Sequence, residues 1–261
     1  MGSFAKALGQ LSRASLETES ANILKTVKSN KVGLSMALDA TLRKGHDMKA
    51  FGLGTIASMA SVERYARFTN AMRAVYETME KRLDDAAPGT PGELVWRRHG
   101  AVLRRAPRLE ADLRDVAGGG ELALSPATRR YVGAVDAAAR ADAADGGARV
   151  LGHLYCRYFA DLFGGQMLAA PYNVALGLAP GTPRHYEFDM PGTRRELIED
   201  VYASLNDAGD RLAAEAVDDV IAEALRAFRC NVDVYTEEPI ALDAARGAAN
   251  FAAGGARRLF R

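Results

Sequence analysis

An all-α, single-domain fold follows from three features of this 261-residue sequence. Apolar residues recur with helical period over most of the chain, alternating strand patterns are scarce, and Pro/Gly clusters punctuate the periodic segments. The first helix is predicted at about 20–46, where Leu34, Leu38, Leu42 and then His46 form one stripe. The second is predicted at about 61–86, ending before Pro88-Gly-Thr-Pro-Gly92, and the third at about 92–116, ending before Gly118-Gly-Gly120. The fourth, at about 126–142, is closed by Gly146-Gly147, and the fifth spans about 147–168 ahead of Ala179-Pro-Gly-Thr-Pro183. Two more are predicted at about 192–208 and 213–236. No internal repeat is visible, which disfavours a solenoid.

Composition excludes several classes. Hydrophobic content is 48% and the formal net charge +1, so nothing biases the chain toward nucleic acid. No apolar run approaches the length of a membrane-spanning helix, and the sequence predicts no transmembrane segment. Cys156 and Cys230 are too few for a disulfide framework, and a reducing compartment is the simpler reading. Met1 to Leu16 carry Lys6 and Arg13 without an acid, and Phe4, Leu8 and Leu11 at helical spacing. That pattern reads as the end of an organelle-targeting sequence, a docking helix or a frayed terminus. The Ala/Gly-rich end, with Arg246, Arg257, Arg258 and Arg261, reads as a mobile tail.

The run His153-Leu-Tyr-Cys-Arg-Tyr-Phe-Ala-Asp-Leu-Phe-Gly-Gly-Gln-Met-Leu168 carries most of the functional information. It reads as one amphipathic helix with Gly164 and Gly165 in its interior, because Met167 and Leu168 continue the stripe. Each such glycine costs roughly 1 kcal/mol relative to alanine, so a pair implies a kink or bare backbone against something flat. Tyr158, Asp161 and Gly164/Gly165 then share a face. Spacing alone favours the plainer of these, a kinked packing helix.

The residues themselves point further. His153, Tyr155, Arg157, Tyr158, Ala160, Asp161, Gly164, Gly165 and Gln166 resemble, position by position, the distal helix of the haem oxygenases. Thr41-Leu-Arg-Lys-Gly-His46-Asp-Met-Lys is similar to that family's proximal helix. Arg64-Tyr-Ala-Arg-Phe68 and Val75-Tyr-Glu-Thr-Met-Glu80 are similar to the plant and algal enzymes in particular, and Ala227-Phe228-Arg-Cys-Asn231-Val-Asp-Val-Tyr235 resembles the last core helix. The likeness covers roughly residues 34 to 236, leaving the stretch from about Pro88 to Gly147 unaligned. It divides the chain into an N-terminal extension or docking helix (1–30), a haem oxygenase-like domain (31–238) and the Ala/Gly/Arg-rich tail (239–261).

What the resemblance implies is specific. The fold would hold haem b between proximal and distal helices, and the activity would be oxidative cleavage of haem with O2 and reductant to biliverdin, carbon monoxide and ferrous iron. His46 would ligate the iron, a role that Gly45 beside it leaves room for; by spacing alone a lone histidine is more often structural or solvated. Asp161 would order waters that carry a proton to iron-bound peroxide, with Gly164 and Gly165 letting backbone approach; spacing alone allows a plain ion pair with Arg157. Tyr155, Arg157, Tyr158 and Ala160 would contact or support the haem, and Phe228, Asn231 and Tyr235 would line or buttress the pocket, readings compatible with core aromatics and a satisfied amide. Reduced ferredoxin is the implied electron donor and a plastid the implied compartment, with a mitochondrion the alternative.

Four departures stand out. Where relatives carry basic residues for the propionates, this chain has Asp39, Glu199, Asp200, Ala203 and Ser204, so anchoring is expected to pass to Arg43, Lys44, Arg194 or Arg195. Phe163 replaces a small residue, and Pro171 interrupts the helix beyond the glycines. His99, beside Arg97 and Arg98, reads as part of a solvated face, while His153 and His185 are weaker ligand candidates. The weakened anchors favour a rival reading, a non-catalytic subunit of the same fold in a larger assembly. A di-iron oxidase is a further alternative that would need several facing Glu and His ligands.

Overall fold

A computed structural model of the protein describes residues 25, 27–45, 48–117 and 122–259, with the side chains of 42–45, 48–50, 166 and 259 outside that description. Among the described residues there is no strand. The helices are α1 (Gly33–Gly45), α2 (Met48–Ser58), α3 (Val62–Asp84), α4 (Pro91–Leu103), α5 (Ala106–Val116), α6 (Pro126–Asp145), α7 (Val150–Phe163), α8 (Ala169–Leu176), α9 (Arg194–Gly209), α10 (Ala214–Thr236) and α11 (Ala241–Leu259). A 3₁₀ turn at Ser29–Lys31 precedes α1, and another at Gly165–Met167 joins α7 to α8.

α7 is the hub. Every residue from Val150 to Phe159, and then Asp161 and Leu162, is buried. The helix is sheathed by α10, α6, α9, α3, α4 and α1. A helix apolar on most sides is stable only in such a setting. Leu34 and Leu38 of the predicted stripe are buried on α1, which packs on α9 and α10.

Among the described residues the helix of the Leu34–Leu38 stripe begins at Gly33 rather than near residue 20, α2 and α8 are helices outside the expected set, and three further differences each have a physical reason. The helix predicted at 92–116 is two helices, because Pro107 has no N–H to continue the ladder and the chain breaks at Arg104-Arg105. Glu80 of α3 accepts from the freed amides of Arg105 (2.5 Å) and Ala106 (3.1 Å), satisfying the new N-terminus. The guanidinium of Arg105, fully buried, ties this break to the 185–188 segment through the carbonyls of His185 and Glu187 and lies 3.9 Å over Phe188.

The second correction concerns the glycine pair. α7 does not continue through Gly164 and Gly165; it stops at Phe163, caps on Gly164, tightens into the 3₁₀ turn and restarts at Ala169. Pro171 falls in the first turn of α8, where its missing N–H costs nothing. A Cβ on Gly165 would lie 2.6 Å from Tyr186 Cδ1, so the bare backbone is required by packing at that point.

The third is the expected mobile tail, which is helix α11 packed on α2 and α8. Its small residues serve close approach: a Cβ at Gly247 or Gly254 would run into the carbonyl oxygens of Ile56 and Val174. Arg64 joins α3 to Asp243 of this helix and donates to the Pro239 carbonyl at 2.8 Å. Of the expected extension at 1–30, residues 1–24 and 26 lie outside the described residues. No described helix is long and apolar enough to cross a membrane.

Candidate active site

The site is built around the C-terminal half of α7. Asp161 is 4% exposed and turned inward, where the Tyr76 hydroxyl of α3 donates to its Oδ2 and Arg157 Nη2 lies 3.6 Å from its Oδ1. The ion pair with Arg157 expected from spacing is therefore present, but as part of a larger buried network. Arg157 Nη1 donates to Asn231 Oδ1 at 2.9 Å, and Asn231 Nδ2 donates to Tyr131 Oη (3.1 Å) and the Ala227 carbonyl (2.8 Å). The Arg157 guanidinium also sits 5.3 Å from the Tyr76 ring centroid. Burial opposes its charge, yet the Tyr76 and Asp161 oxygens hold its pKa above the ordinary value. Burial raises the Tyr76 pKa well above the phenol range, so that hydroxyl remains a donor. Arg157 Nε is buried and has no partner.

One turn away the same helix is uncovered. Ala160 is the exposed residue on α7, and Phe163 and Gly164, at i+3 and i+4, are partly exposed. A strip of small and apolar surface thus runs directly beside the buried Asp161. Phe228 and Tyr235 of α10 meet Phe51 of α2 edge-on at 6.2 and 5.4 Å. His46, which leads into α2, and the side chains of Arg43 and Lys44 lie outside the described residues.

Two candidates are placed otherwise than expected. Tyr158 does not share the uncovered face; it is fully buried, donates to Glu80 Oε1 at 3.0 Å and packs on Tyr76. Tyr155 points toward α1, where its hydroxyl and that of Tyr202 (2.8 Å) both donate to Asp39 Oδ1 while Asn30 donates to Oδ2 (3.1 Å). Glu199 accepts from the Lys28 amide (2.8 Å) and from the Ser29 amide and hydroxyl, and Asp200 pairs with Arg98. The unexpected carboxylates are thus occupied by the chain itself. Arg194 is partly buried and Arg195 exposed, both in the first turn of α9.

The other histidines serve packing. His99 is buried rather than solvated, because α9 covers it and Ser204 Oγ lies 2.8 Å from its Nε2; burial lowers its pKa to about 4. His153 Nε2 meets Glu223 of α10 at 2.9 Å, and His185 Nδ1 meets Asp112 of α5 at 2.8 Å. Among the described residues no three His, Cys, Asp or Glu side chains gather as a metal site.

Tyr76 and Tyr131 were not singled out from sequence. Tyr76 stands inside the plant-like Val75–Glu80 segment, a signal that marked the helix without marking the hydroxyl; Tyr131 falls in the stretch that could not be aligned.

The described residues thus form a helical bundle whose central helix carries a buried carboxylate network beside an uncovered strip. The chain belongs to the heme oxygenase family, whose pattern it matches over residues 44–237. Heme oxygenase 1 of Synechocystis sp. is 27% identical over 213 residues, 79% of this chain and 85% of that protein. The crystal structure of Synechocystis heme oxygenase-1 in complex with heme superposes with a TM-score of 0.69 at 25% identity, covering 85% of this chain and 99% of that one. Heme oxygenase 2 of Chlamydomonas reinhardtii, solved without heme, gives 0.69 at 20% identity, covering 80% and 99%.

Proposed function

We propose that this member of the family opens haem b with O2 and an electron donor to give biliverdin, carbon monoxide and ferrous iron. The observation that carries the reading is the pairing of a strip at Ala160, Phe163 and Gly164 with Asp161 held just inside it. The bare strip suits a flat macrocycle, and the unpartnered Arg157 Nε shows that the polar network has bonding capacity left for water or ligand. Haem, the substrate, supplies the oxidation chemistry when bound.

The protein's own residues do the rest. His46 would hold the iron. Asp161 keeps a proton position beside the strip: it accepts from Tyr76, and it is fixed by Arg157, which Asn231 and Tyr131 hold in turn. A carboxylate fixed on its inner side by a donor and a cation is oriented to exchange protons on its outer side. Phe51, Phe228 and Tyr235 exclude water from the α2–α10 flank. The propionates are held by Arg43, Lys44, Arg194 or Arg195, since Asp39, Glu199 and Asp200 are committed elsewhere. Reduced ferredoxin as donor and a plastid as compartment are supported by the likeness of the 64–68 and 75–80 segments to the plant and algal enzymes.

The test is to add hemin to purified protein and record the absorption spectrum before and after reductant under air. A stoichiometric Soret band that gives way to biliverdin supports the reading. A stable reduced haem spectrum under air contradicts it.

A further inference from the structure

A line of oxidisable side chains leads from Asp161 to α4. The Tyr76 ring meets that of Tyr158 with centroids 5.1 Å apart, and Tyr158 meets Trp96 of α4 at 6.0 Å. Trp96 is the chain's one tryptophan. Each of the three is bonded through its oxidisable O–H or N–H to a different carboxylate: Tyr76 to Asp161, Tyr158 to Glu80 Oε1 at 3.0 Å, and Trp96 Nε1 to Asp84 Oδ1 at 2.7 Å.

That pattern has a chemical meaning. A phenol that loses an electron becomes a strong acid and an indole a moderate one, and a buried radical cation is costly. An acceptor at hydrogen-bond distance lets the proton leave with the electron, so no isolated charge is created. Burial raises the pKa of both phenols above their usual range, so each rests in the protonated, reducing form. At the far end Trp96 is 4% exposed, but Arg104 and Asp84 beside it are 37% and 44% exposed. The Arg104 guanidinium lies 5.2 Å from the indole centroid and opposes a lasting indole cation, and its two bonds to Asp84 hold that carboxyl below the usual carboxylate range, so Asp84 stands ionised as the acceptor.

We propose that Tyr76, Tyr158 and Trp96 form a relay that carries a one-electron hole from the Asp161 site to the surface, protecting the site when its chemistry goes astray. The relay rests on the haem-cleavage reading, because its oxidant is the strongly oxidising equivalent left when a peroxide O–O bond breaks there without oxygen entering the macrocycle. Tyr76 gives that oxidant one electron and gives Asp161 its phenolic proton, leaving a neutral phenoxyl radical. Tyr158 then reduces Tyr76, which recovers its proton from Asp161, while Glu80 takes the proton of Tyr158. Trp96 reduces Tyr158 in the same way, with Glu80 returning the proton and Asp84 accepting that of the indole. A one-electron reductant of the ascorbate or thiol class restores Trp96 at the surface, and Asp84 returns the proton.

The relay is testable without haem. Azide radicals generated by pulse radiolysis oxidise the single indole of the haem-free protein, and transient absorption follows its approach to equilibrium with the phenoxyl radicals over the same contacts in reverse. The outward relay requires that indolyl radical remain in the final mixture, and its complete loss overturns the proposal. The expected conversion is first-order, independent of protein concentration, and slowed roughly tenfold or more in Tyr158→Phe. Asp84→Asn, a change at a partly exposed side chain, is expected to prolong the protonated indole radical and decides the matter should Tyr158→Phe fail to fold. Conversion at the parental rate in Tyr158→Phe, or an unaltered radical in Asp84→Asn, overturns the proposal. In hemin-loaded protein treated with a peracid, Trp96→Phe is expected to leave a tyrosyl paramagnetic resonance signal that resists ascorbate, whereas the parent's is quenched; equal quenching overturns the relay. Biliverdin formation by the parent is scored in the same preparation. A failed relay with biliverdin formed overturns the relay alone; absence of biliverdin overturns the cleavage reading, and with it the oxidant that the relay requires.

Discussion

The Tyr76 hydroxyl of α3 donates to Asp161 Oδ2 of α7, so the carboxylate is positioned from a helix that lies outside the α7 motif altogether. Removing that donor tests the arrangement. Tyr76→Phe leaves a buried carboxylate oxygen short of a partner, a loss of about 1–3 kcal/mol. Hemin affinity is expected to stay within a few-fold, while the initial rate of biliverdin formation falls by roughly tenfold or more. Spectrophotometric titration and initial-rate measurements on the same preparation check both parts.

Gly165→Ala places a methyl 2.6 Å from Tyr186 Cδ1. Overpacking of this kind costs about 1–3 kcal/mol, and the urea midpoint is expected to fall accordingly. The double variant Gly165→Ala/Tyr186→Leu, which clears the ring, is expected to lose less than the sum of the two single changes.

His99 gives the fold an acid sensitivity unconnected with catalysis. Its pKa is lowered by burial to about 4 from an unfolded value near 6.5. The unfolded chain therefore binds the extra proton first, and stability present above about pH 6.5 is lost as pH falls toward 4, by roughly 2–3 kcal/mol. His99→Gln keeps a partner for Ser204 and cannot titrate; denaturation midpoints between pH 7 and 4 are expected to fall less steeply in this variant than in the parent.

Propionate anchoring is expected to rest on Arg43, Lys44, Arg194 or Arg195. A charge-assisted contact contributes about 1.5–3 kcal/mol, so neutralising the true anchor weakens hemin binding by about ten- to a hundredfold. It is also expected to mix the biliverdin isomers, because the propionates fix in-plane rotation. Titration of the four single variants and isomer analysis of their products identify the anchor.

The all-α architecture and the placement of α7 were legible because local periodicity and the His153–Gln166 pattern are properties of one continuous segment. Helix boundaries were less so. The continuing stripe at Met167 and Leu168 made a helix end at Gly164 look improbable, since a 3₁₀ turn keeps apolar residues on nearly the same side. The Ala/Gly-rich end read as mobile because composition does not reveal that Gly247 and Gly254 abut the carbonyls of α2 and α8. His99 read as solvated from its arginine neighbours, while the helix that buries it comes from a hundred residues later. The network under the strip was half visible: Arg157, Asp161, Asn231 and Tyr76 lie in motif segments, but the Tyr76 hydroxyl and Tyr131 are tied to it only by the packing of α3 and α6 against the hub.

On the proposed function, Asp161 decides the fate of oxygen at the haem without holding the haem. The most direct measurement is a single turnover of hemin-loaded Asp161→Ala beside the parent, with reductant under air, resolving biliverdin from oxidised haem protein by absorption and chromatography. Hemin affinity is expected to stay within a few-fold of the parent while the biliverdin yield collapses and ferryl-type oxidation appears. Biliverdin formed by Asp161→Ala at the parental rate would contradict that role and reduce Asp161 to a structural partner of Arg157.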